Sequence, residues 1–315
     1  MNVKRELAAK ISAALALDSA AEAEAALAAL AADVAHSDVG TRTALGLPRK
    51  LHSAQLSLAK RTGTPAQVAG LQTYAVPKAD LLEDIFATDT AGRAALVRAA
   101  SAPVPELVHQ IWVGGEPPPA CAAWARWAER HGWEYRLWRE KDLEEIGVFK
   151  GPLWQAMWLA GDMPGAVDVA RYHVLQQMGG LYLDCDWYPA RLDLPPAAVI
   201  PATGLSALAE PAPRSVLGQS LLLSNALLAA PRHHPVMTEL LAALPKVAER
   251  IGDGPAWWTT GPLPFTYAAR QGPVSVLDPA LVAARLPWGA SLAEVEHLAS
   301  NLKGSSGLLI AWKSW

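Results

Sequence analysis

Two aspartates separated by one residue follow a short apolar run in the segment GGLYLDCDWYP, residues 179–189. If an extended strand includes them, Asp184 and Asp186 share a face, because side chains two apart on a strand point the same way. Two carboxylates placed together repel each other unless a cation or hydrogen-bond donors compensate. Mg²⁺ typically takes one or two carboxylates together with the phosphates of a substrate. The pair is therefore a candidate metal–diphosphate site, with a solvated turn at a strand end as the alternative.

A second pair of charged residues precedes this strand, in PGAVDVARYHVLQQMGG. Asp168 and Arg171 are three apart on a predicted helix, so their side chains can project together. The simpler alternative is a surface salt bridge, which is worth less than about 1 kcal/mol. Because the helix runs through Gly179 and Gly180 directly into the aspartate strand, both ends of this unit can reach one crevice.

The elements that must position these residues alternate between strands and helices after residue 103. ELVHQIWVGG and WEYRLWR are predicted strands, and CAAWARWAERHG is a predicted helix that stops at a glycine. This alternation predicts an α/β domain around a mostly parallel sheet. In such sheets ligands bind at the carboxyl ends of strands, which is where the two aspartates lie.

The first hundred residues differ in composition from the rest. All 13 Trp lie after residue 100, whereas the preceding segment is rich in alanine and prone to form helices. Ser19 and Glu22 form a predicted capping box. Further helices are predicted at 49–61, 78–87 and 90–100. We therefore predict an α-helical extension over 1–100 and the α/β domain over 101–315. The extension is interpreted as a structural cap, with a docking or membrane-surface module as the alternative.

The overall composition excludes several classes of protein. The chain has 315 residues, a formal net charge of −3 and 51% hydrophobic residues, so it can bury a core and has no basic surface for nucleic acid. Two cysteines cannot form a disulfide framework and fit a reducing compartment. The N-terminus does not resemble a signal peptide, and no apolar run approaches the ~20 residues of a transmembrane helix. We predict a soluble cytoplasmic protein with no nucleic-acid partner and no transmembrane segment.

Several conspicuous residues are better explained by packing than by chemistry. Cys185 is expected to point away from its neighbours into the core. His233 and His234 are interpreted as the start of a helix. The pairs Trp124/Trp127 and Trp154/Trp158 have helical spacing and are expected to pack on helices.

The motifs around the aspartates resemble a known family. AVDVARYHVLQQMGGLYLDCD is similar to the signature of glycosyltransferases with a DXD-containing sugar-binding region. These include α-mannosyltransferases and α-galactosyltransferases, and they are related to the large clostridial glucosylating toxins. The matching residues, in order and spacing, are Asp168, Arg171, Gly179, Gly180, Tyr182, Asp184 and Asp186. VHQIWVGG, LSNALLAAPRHHP, TTGP and the closing SW resemble further family segments, so the resemblance covers about residues 105–315.

This resemblance implies a GT-A-like (Rossmann-like) domain that binds a nucleotide-sugar donor, a UDP-sugar in preference to a GDP-sugar. It implies a Mn²⁺ or Mg²⁺ ion at Asp184 and Asp186, with Asp186 as the direct ligand. Donor contacts are implied for Trp112 (the base), Asp168, Arg171, Tyr182, Asp184 and Asn225 (sugar, ribose or phosphate), and Ser314 and Trp315 (closure over the diphosphate).

The related families retain the anomeric configuration of the donor, and front-face attack of this kind needs no protein base. We therefore predict a metal-dependent, retaining hexosyltransferase that acts on an unknown acceptor, a glycan, small molecule or protein. The residues predicted to be catalytic are Asp168, Arg171, Asn225 and Asp186.

The sequence departs from the family in ways that keep alternatives open. Val167 stands where the family usually has Ser, and no His or acidic residue lies just before the closing SW, so a third metal ligand is not identified; His297 is only a distant candidate. A non-catalytic module that binds nucleotide-sugars or glycans remains an alternative. Another is a protein-glucosylating effector toxin, with the helical extension as its targeting unit. A phosphatase of the haloacid dehalogenase type fits less well, because Tyr188 stands where that motif needs Thr or Val.

Overall fold

The computed structural model describes residues 3–209, 215–216, 220–252, 254–302, 304 and 306–313, with the backbone alone at residues 79, 215–216 and 220–221. Its α-helices are α1 Val3–Leu15, α2 Ala20–Asp33, α3 Arg49–Thr62, α4 Pro65–Thr73, α5 Thr90–Ala99, α6 Pro119–Arg130, α7 Glu140–Glu145, α8 Pro152–Leu159, α9 Met163–Met178, α10 Pro235–Ile251, α11 Ala256–Thr259, α12 Pro262–Ala269 and α13 Leu292–Asn301. Its strands are β1 Leu107–Ile111, β2 Glu134–Trp138, β3 Gly180–Leu183, β4 Trp187–Pro189, β5 Ser206–Ala209, β6 Ser215–Val216, β7 Ser220–Leu221, β8 Leu223–Ala230, β9 Ser275–Leu277, β10 Val282–Arg285 and β11 Leu309–Ala311.

Helices α1 to α4 form a helical unit with an apolar core of its own. Leu7, Leu27 and Leu51 are buried in one cluster. The predicted start of α2 is confirmed, because the Ser19 hydroxyl accepts a hydrogen bond from the backbone N–H of Glu22 at 3.4 Å. The alanine-rich sequence favours these helices, since alanine loses no side-chain entropy in a helix.

Two of the three further predicted helices are confirmed as α3 and α5. The third, at 78–87, is instead two 3₁₀ turns, Ala79–Leu81 and Glu83–Ile85. Such turns are common in short connectors, where too few residues are available to propagate an α-helix.

Residues 76–99 pack against the α/β core rather than against α1 to α4. Val76, Leu82, Phe86 and Leu96 are buried in the same cluster as the apolar faces of α9 and α10. Composition therefore changes at residue 100, whereas packing changes near residue 75. The domain boundary predicted at residue 100 stays a prediction.

The central sheet has six strands in the order β2-β1-β3-β8-β5-β9. β1 is parallel to β2 and β3, and β5 is parallel to β9, whereas β8 runs antiparallel to both of its neighbours. The predicted α/β class with a mostly parallel sheet is thus confirmed. Helices cover both faces of such a sheet, which explains why β1 and β3 are buried almost throughout, including the polar His109 and Gln110 of β1.

A second sheet, in the order β10-β11-β4, adjoins the carboxyl end of β3. β4 begins directly after Asp186 and pairs antiparallel with β11. The backbone N–H of Trp312, just beyond β11, donates to the carbonyl oxygen of Asp186 at 2.8 Å. The chain that follows β11 therefore lies beside the aspartates, although more than 120 residues separate them in sequence.

The connection between α9 and β3 depends on two glycines. Gly179 and Gly180 have φ of +63° and +99°, and a Cβ on Gly180 would lie 2.5 Å from the carbonyl oxygen of Leu107. Buried His109 braces the bend: its Nε2 donates to the Gly179 carbonyl at 2.7 Å and its Nδ1 accepts from the Trp138 indole at 3.0 Å. Burial lowers the pKa of His109 to about 4, so the ring is neutral in this role.

Candidate functional site

The carboxyl ends of β1 and β3 open onto a cleft of about 850 Å³. The predicted site residues that line it are Trp112, Asp168, Arg171, Tyr182, Asp184, Asp186 and Asn225. The structure therefore brings together every predicted site residue that it describes. Ser314 and Trp315, predicted to close over the donor, lie outside the described residues.

The two aspartates follow β3 rather than continue it. The strand ends at Leu183, and Asp184–Asp186 form a turn before β4. The expectation that both carboxylates lie on one face of a strand is therefore wrong. Backbone bonds to two distant segments hold the turn: the N–H of Asp184 donates to Ala226 of β8 at 2.9 Å, and the carbonyl of Asp186 accepts from the N–H of Trp312 beyond β11.

Asp168, in the middle of α9, is surrounded by donors. Its Oδ1 accepts from Asn225 Nδ2 at 2.7 Å and pairs with Arg171 at 3.0 Å, and its Oδ2 accepts from Thr260 Oγ1 at 3.1 Å. The side chains of Asp168 and Arg171 are only 8% and 5% exposed, so the pair is not a surface salt bridge. Burial raises the pKa of Asp168 to about 6, although the Arg171 charge lowers it.

Arg171 links the helix to the aspartate turn. One terminal nitrogen lies 3.0 Å from both Asp168 Oδ1 and Asp184 Oδ1, and the other donates to the Asn225 carbonyl at 2.6 Å. The guanidinium also lies over the Tyr182 ring, 4.7 Å from its centroid. Because both terminal nitrogens are used inside the protein, Arg171 is better placed to position the two carboxylates than to hold a phosphate.

Asp184 is held from three directions. Its Oδ1 accepts from the Tyr182 hydroxyl at 2.7 Å as well as from Arg171. Its backbone carbonyl accepts from Gln110 Nε2 at 3.2 Å. One carboxylate oxygen of Asp184 is therefore consumed by the protein, and the other remains for a ligand.

Asp186 is in a different position from Asp184. Within the described part of the chain, no ion pair or side-chain hydrogen bond reaches its carboxylate. Burial and, to a smaller extent, the Asp184 charge raise its pKa to about 6, against the opposing charge of the Lys313 ammonium. A half-buried carboxylate without a side-chain donor is stabilised by a cation, which makes Asp186 the carboxylate most available to one.

Lys313 is the cation that sequence reasoning did not assign. It follows β11, lines the cleft with an exposed side chain, and lies 5.5 Å from the centroid of the Trp288 ring. Arg171 is the other basic residue of the cleft lining, and its charge is already paired. Lys313 therefore carries the ammonium that an anionic ligand would meet.

The residues present fit a hard divalent ion only in part. In the described portion of the chain, no group of three or more His, Cys, Asp or Glu side chains is arranged to hold a metal ion. Asp186 and the second oxygen of Asp184 are hard oxygen donors of the kind that Mg²⁺ and Mn²⁺ prefer, and such ions commonly complete their shell with substrate phosphates and water. The site therefore fits an ion that arrives with a diphosphate better than a resident one.

Two buried residues that hold Asp168 and Asn225 from behind the cleft, Tyr172 and Thr260, were not predicted from the sequence. The Tyr172 hydroxyl accepts from Asn225 Nδ2 at 2.8 Å and donates to the Thr260 carbonyl at 2.9 Å. Tyr172 is four residues after Asp168, so helical spacing could have placed it on the same face. Thr260 lies in the TTGP segment, and the family resemblance of that segment assigns no role to its hydroxyl.

The packing interpretations are confirmed where the structure describes them. Cys185 is buried, although it also belongs to the cleft lining beside the two aspartates, and His234 caps α10 by accepting from the Val236 N–H at 3.3 Å. The Trp124 and Trp127 rings are fully buried and 5.2 Å apart, edge to face. Trp154 and Trp158 stack at 5.6 Å.

Fold and site define an α/β protein with a charged cleft at the carboxyl edge of its sheet. No protein-family model matches the chain, and no curated protein matches it. Among solved structures, the chain is similar to the PaToxG glycosyltransferase, with 15% sequence identity and a TM-score of 0.41 over 61% of this chain and 77% of that one. The family suggested by the motifs stays a hypothesis, and the function is inferred from this chain's own residues. No helix within the described ranges is long and apolar enough to cross a membrane.

Proposed function

We propose that this protein is a glycosyltransferase that takes a sugar from a nucleotide-diphosphate donor, with a divalent metal ion, and retains the anomeric configuration. The main support is the buried network of Asp168, Arg171, Asp184 and Asn225 on the floor of the cleft. A buried ion pair adds little stability compared with apolar residues of the same size. A network of this kind at the edge of a cleft is therefore better explained by ligand binding than by folding.

The donor sugar is proposed to lie over Asp168 and Asn225. The side-chain amide of Asn225 donates its two protons to Asp168 and Tyr172. Its side-chain oxygen, Oδ1, is left to accept from a sugar hydroxyl. Asp168 Oδ2 has one protein donor and can accept a second. Because the protein holds both groups before the ligand binds, the sugar meets a preorganised site.

The diphosphate is proposed to lie at the other end of the cleft, near Asp186. Asp186 and the open oxygen of Asp184 would hold Mn²⁺ or Mg²⁺ together with the donor phosphates. A metal ion held by these two carboxylates would supply positive charge against the leaving diphosphate. Lys313 adds a charge-assisted donor at the same end, and Trp112 on the cleft wall stacks on the base, a uracil in preference to a guanine.

Transfer with retention requires little further protein chemistry. In front-face attack, the leaving phosphate takes the proton of the acceptor hydroxyl as the glycosidic bond breaks. No histidine lies among the residues that line the cleft, so no protein base is assigned to this step. Arg171 acts as a positioning residue, because it holds Asp168 and Asp184 at fixed separation.

A donor screen tests this proposal. The unfolding temperature of the full chain is measured with UDP-sugars and GDP-sugars, each with and without Mn²⁺, and donor hydrolysis is followed in parallel. A UDP-sugar at 100 times its Kd, with Mn²⁺, should add about 2.7 kcal/mol to the free energy of unfolding. If no nucleotide-sugar stabilises the chain in either condition, the proposal is wrong.

The same experiment separates the alternatives. Stabilisation without any turnover, even with candidate acceptors, would indicate a non-catalytic binding module. Transfer to a protein, rather than to a glycan or small molecule, would indicate an effector. Hydrolysis of a generic phosphate ester without a nucleotide-sugar preference would indicate a phosphatase.

A further inference from the structure

The turn between the two aspartates carries a thiol that faces a second thiol. The Sγ atoms of Cys121 and Cys185 are 3.5 Å apart, and both cysteines are free. Cys121 lies in the first turn of α6, and Cys185 is the central residue of Asp184–Asp186. No other cysteine exists in the chain.

We propose that Cys121 and Cys185 form a redox-modification site, in which a two-electron oxidant such as hydrogen peroxide converts the two thiols to a disulfide and displaces the aspartate turn. One thiolate attacks a peroxide oxygen, which releases water and leaves a sulfenic acid on that sulfur. The second thiol attacks this sulfur, forms the S–S bond and expels a second water. Two hydrogen atoms leave the protein for each peroxide reduced.

Access to the site comes from the cleft. Buried cysteines are normally inert because oxidants cannot reach them. Cys185 is only 6% exposed, but it belongs to the lining of the cleft, between the two aspartates. A small oxidant that enters the cleft therefore comes next to Cys185, whose sulfur lies 3.5 Å from that of Cys121. A bound donor would cover the same entrance.

The bond would change the geometry of the turn. A disulfide has sulfurs about 2.05 Å apart, so the two sulfurs must approach by about 1.5 Å. The Cys185 thiol donates to the carbonyl oxygen of Ile111 at 3.3 Å, and disulfide formation removes this donor. Ile111 immediately precedes Trp112, so the change reaches both the aspartate turn and the wall of the cleft.

The backbone on either side of Cys185 cannot absorb the movement freely. Asp184 is fixed through its N–H to Ala226 and through its carbonyl to Gln110, while the Asp186 carbonyl accepts from Trp312. A shift of Cys185 toward α6 therefore acts on the carboxylates next to it. The effect on donor binding rests on the proposed function, whereas the bond and the displacement of the turn do not.

The full chain is reduced, treated with hydrogen peroxide at near-stoichiometric amounts, and analysed by intact mass under non-reducing conditions. The expected product is a monomer that has lost two hydrogen atoms, and dithiothreitol should restore the original mass. Cys121→Ser and Cys185→Ala should not give this product. If the wild-type chain keeps both thiols, or gives only sulfinic acids or intermolecular dimers, the proposal is overturned.

Two measurements then compare the oxidised and reduced forms. Amide hydrogen exchange of residues 181–189 should differ between them, and UDP with Mn²⁺ should bind the oxidised form at least about tenfold more weakly, or about 1.4 kcal/mol. Cys121→Ser, which lies outside the cleft, should bind UDP like the wild type when both chains are reduced. Unchanged exchange in the oxidised chain would overturn the displacement of the turn. If even the reduced chain binds no UDP-sugar, the proposed function fails, and hydrogen exchange still decides the inference.

Discussion

Polar side chains are buried both in the helical unit of α1 to α4 and at the cleft, but with different partners. In the helical unit, His52 lies between the Thr43 hydroxyl and the Leu71 carbonyl, each 2.8 Å away. Burial lowers the pKa of His52, so this cluster is neutral and satisfied. At the cleft, Arg171 is shared by Asp168 and Asp184, and Asp186 beside them has no donor from a side chain in the described ranges.

The difference distinguishes polar groups that are fully hydrogen-bonded within the fold from polar groups that still have capacity to bind a ligand. A neutral, fully bonded histidine is a small perturbation of a core, since each polar atom finds a partner. Buried negative charges that outnumber their positive partners disfavour folding. Such charges are found at functional sites, where ligand binding or catalysis requires them. The cleft is therefore the part of the molecule where a substitution can improve stability and abolish activity.

Asp186→Asn gives the sharpest test of this comparison. The variant should lose donor hydrolysis by at least about 10³-fold, because the carboxylate charge at the diphosphate end is removed. Without ligands its unfolding temperature should be equal to or above that of the wild type, since an ionised carboxylate with a raised pKa disfavours the fold. Asp193→Asn, at an exposed carboxylate paired with Arg191, is the control and should retain activity. If Asp186→Asn still gains the wild-type stabilisation from Mn²⁺ and donor, the metal assignment is wrong.

Arg171→Met should show how strongly the cleft network depends on its single buried cation. Removing it leaves Asp168 and Asp184 without their counter-charge, and the free energy of unfolding should fall by about 3–5 kcal/mol. Urea unfolding measures this. Arg250→Met, which breaks an exposed pair with Asp84, should cost less than about 1 kcal/mol. Equal losses in the two variants would mean that the cleft network is as solvated as the surface pair.

The pH dependence of unfolding should distinguish the buried histidine of the sheet from the carboxylates of the cleft. His109 has a pKa of about 4 in the folded chain, so its contribution to stability is complete above pH 6.5 and is lost as the pH falls toward 4. At roughly 1.4 kcal/mol per unit, the loss is about 3 kcal/mol. The raised pKa values of Asp168 and Asp186 have the opposite effect, because protonation of these carboxylates increases the free energy of unfolding as the pH falls.

The contributions of Asp168 and Asp186 cancel when the free energy of unfolding of His109→Gln is subtracted from that of the wild type. Chemical unfolding of both chains at pH values from 7 to 4 should give a difference that shrinks as the pH falls. A difference that is constant with pH would show that His109 titrates normally in the folded chain.

Lys313→Met should lower donor turnover by about 10- to 10²-fold, the scale for losing one charge-assisted donor to the leaving group. Because the side chain is exposed and has no ion pair in the described part of the chain, the unfolding temperature without ligands should not move. Lys246→Met, exposed on α10 and outside the cleft lining, is the matched control. Normal turnover in the Lys313 variant would remove this residue from the diphosphate end.

Removing the helical unit should have the smallest effect on the cleft. A chain that begins at residue 75 keeps Val76, Phe86 and Leu96 in the α/β core and should hydrolyse donor within about threefold of the full chain. A chain that begins at residue 101 loses those side chains and should be less stable by about 3 kcal/mol or more. Equal stability of the two truncated chains would place the boundary at residue 100 after all.

Much of the fold could be predicted because its signals are local. The period of apolar residues, the glycine stops and the Ser19 cap define α2, α6, α9, β1 and β3 within a few residues. The turn at Asp184–Asp186 could not be predicted, since it arises from hydrogen bonds to β8 and to the chain beyond β11. The 3₁₀ turns at 79–85 were missed because short segments take the conformation that their packing imposes.

The sequence by itself indicated that Asp168 and Arg171 meet Asp184 and Asp186 at one crevice, because the helix runs through Gly179-Gly180 directly into the segment that carries the aspartates. Only the tertiary structure decided which charged groups pair with one another and which carboxylate stays unpaired. Arg171 and Tyr182 occupy one oxygen of Asp184, Asp186 keeps its carboxylate open, and Lys313 and Cys121 arrive from distant segments. Spacing along a chain limits which neighbours are possible, whereas hydrogen bonds and ion pairs between distant segments depend on how sheets and helices pack, and packing is a property of the whole molecule.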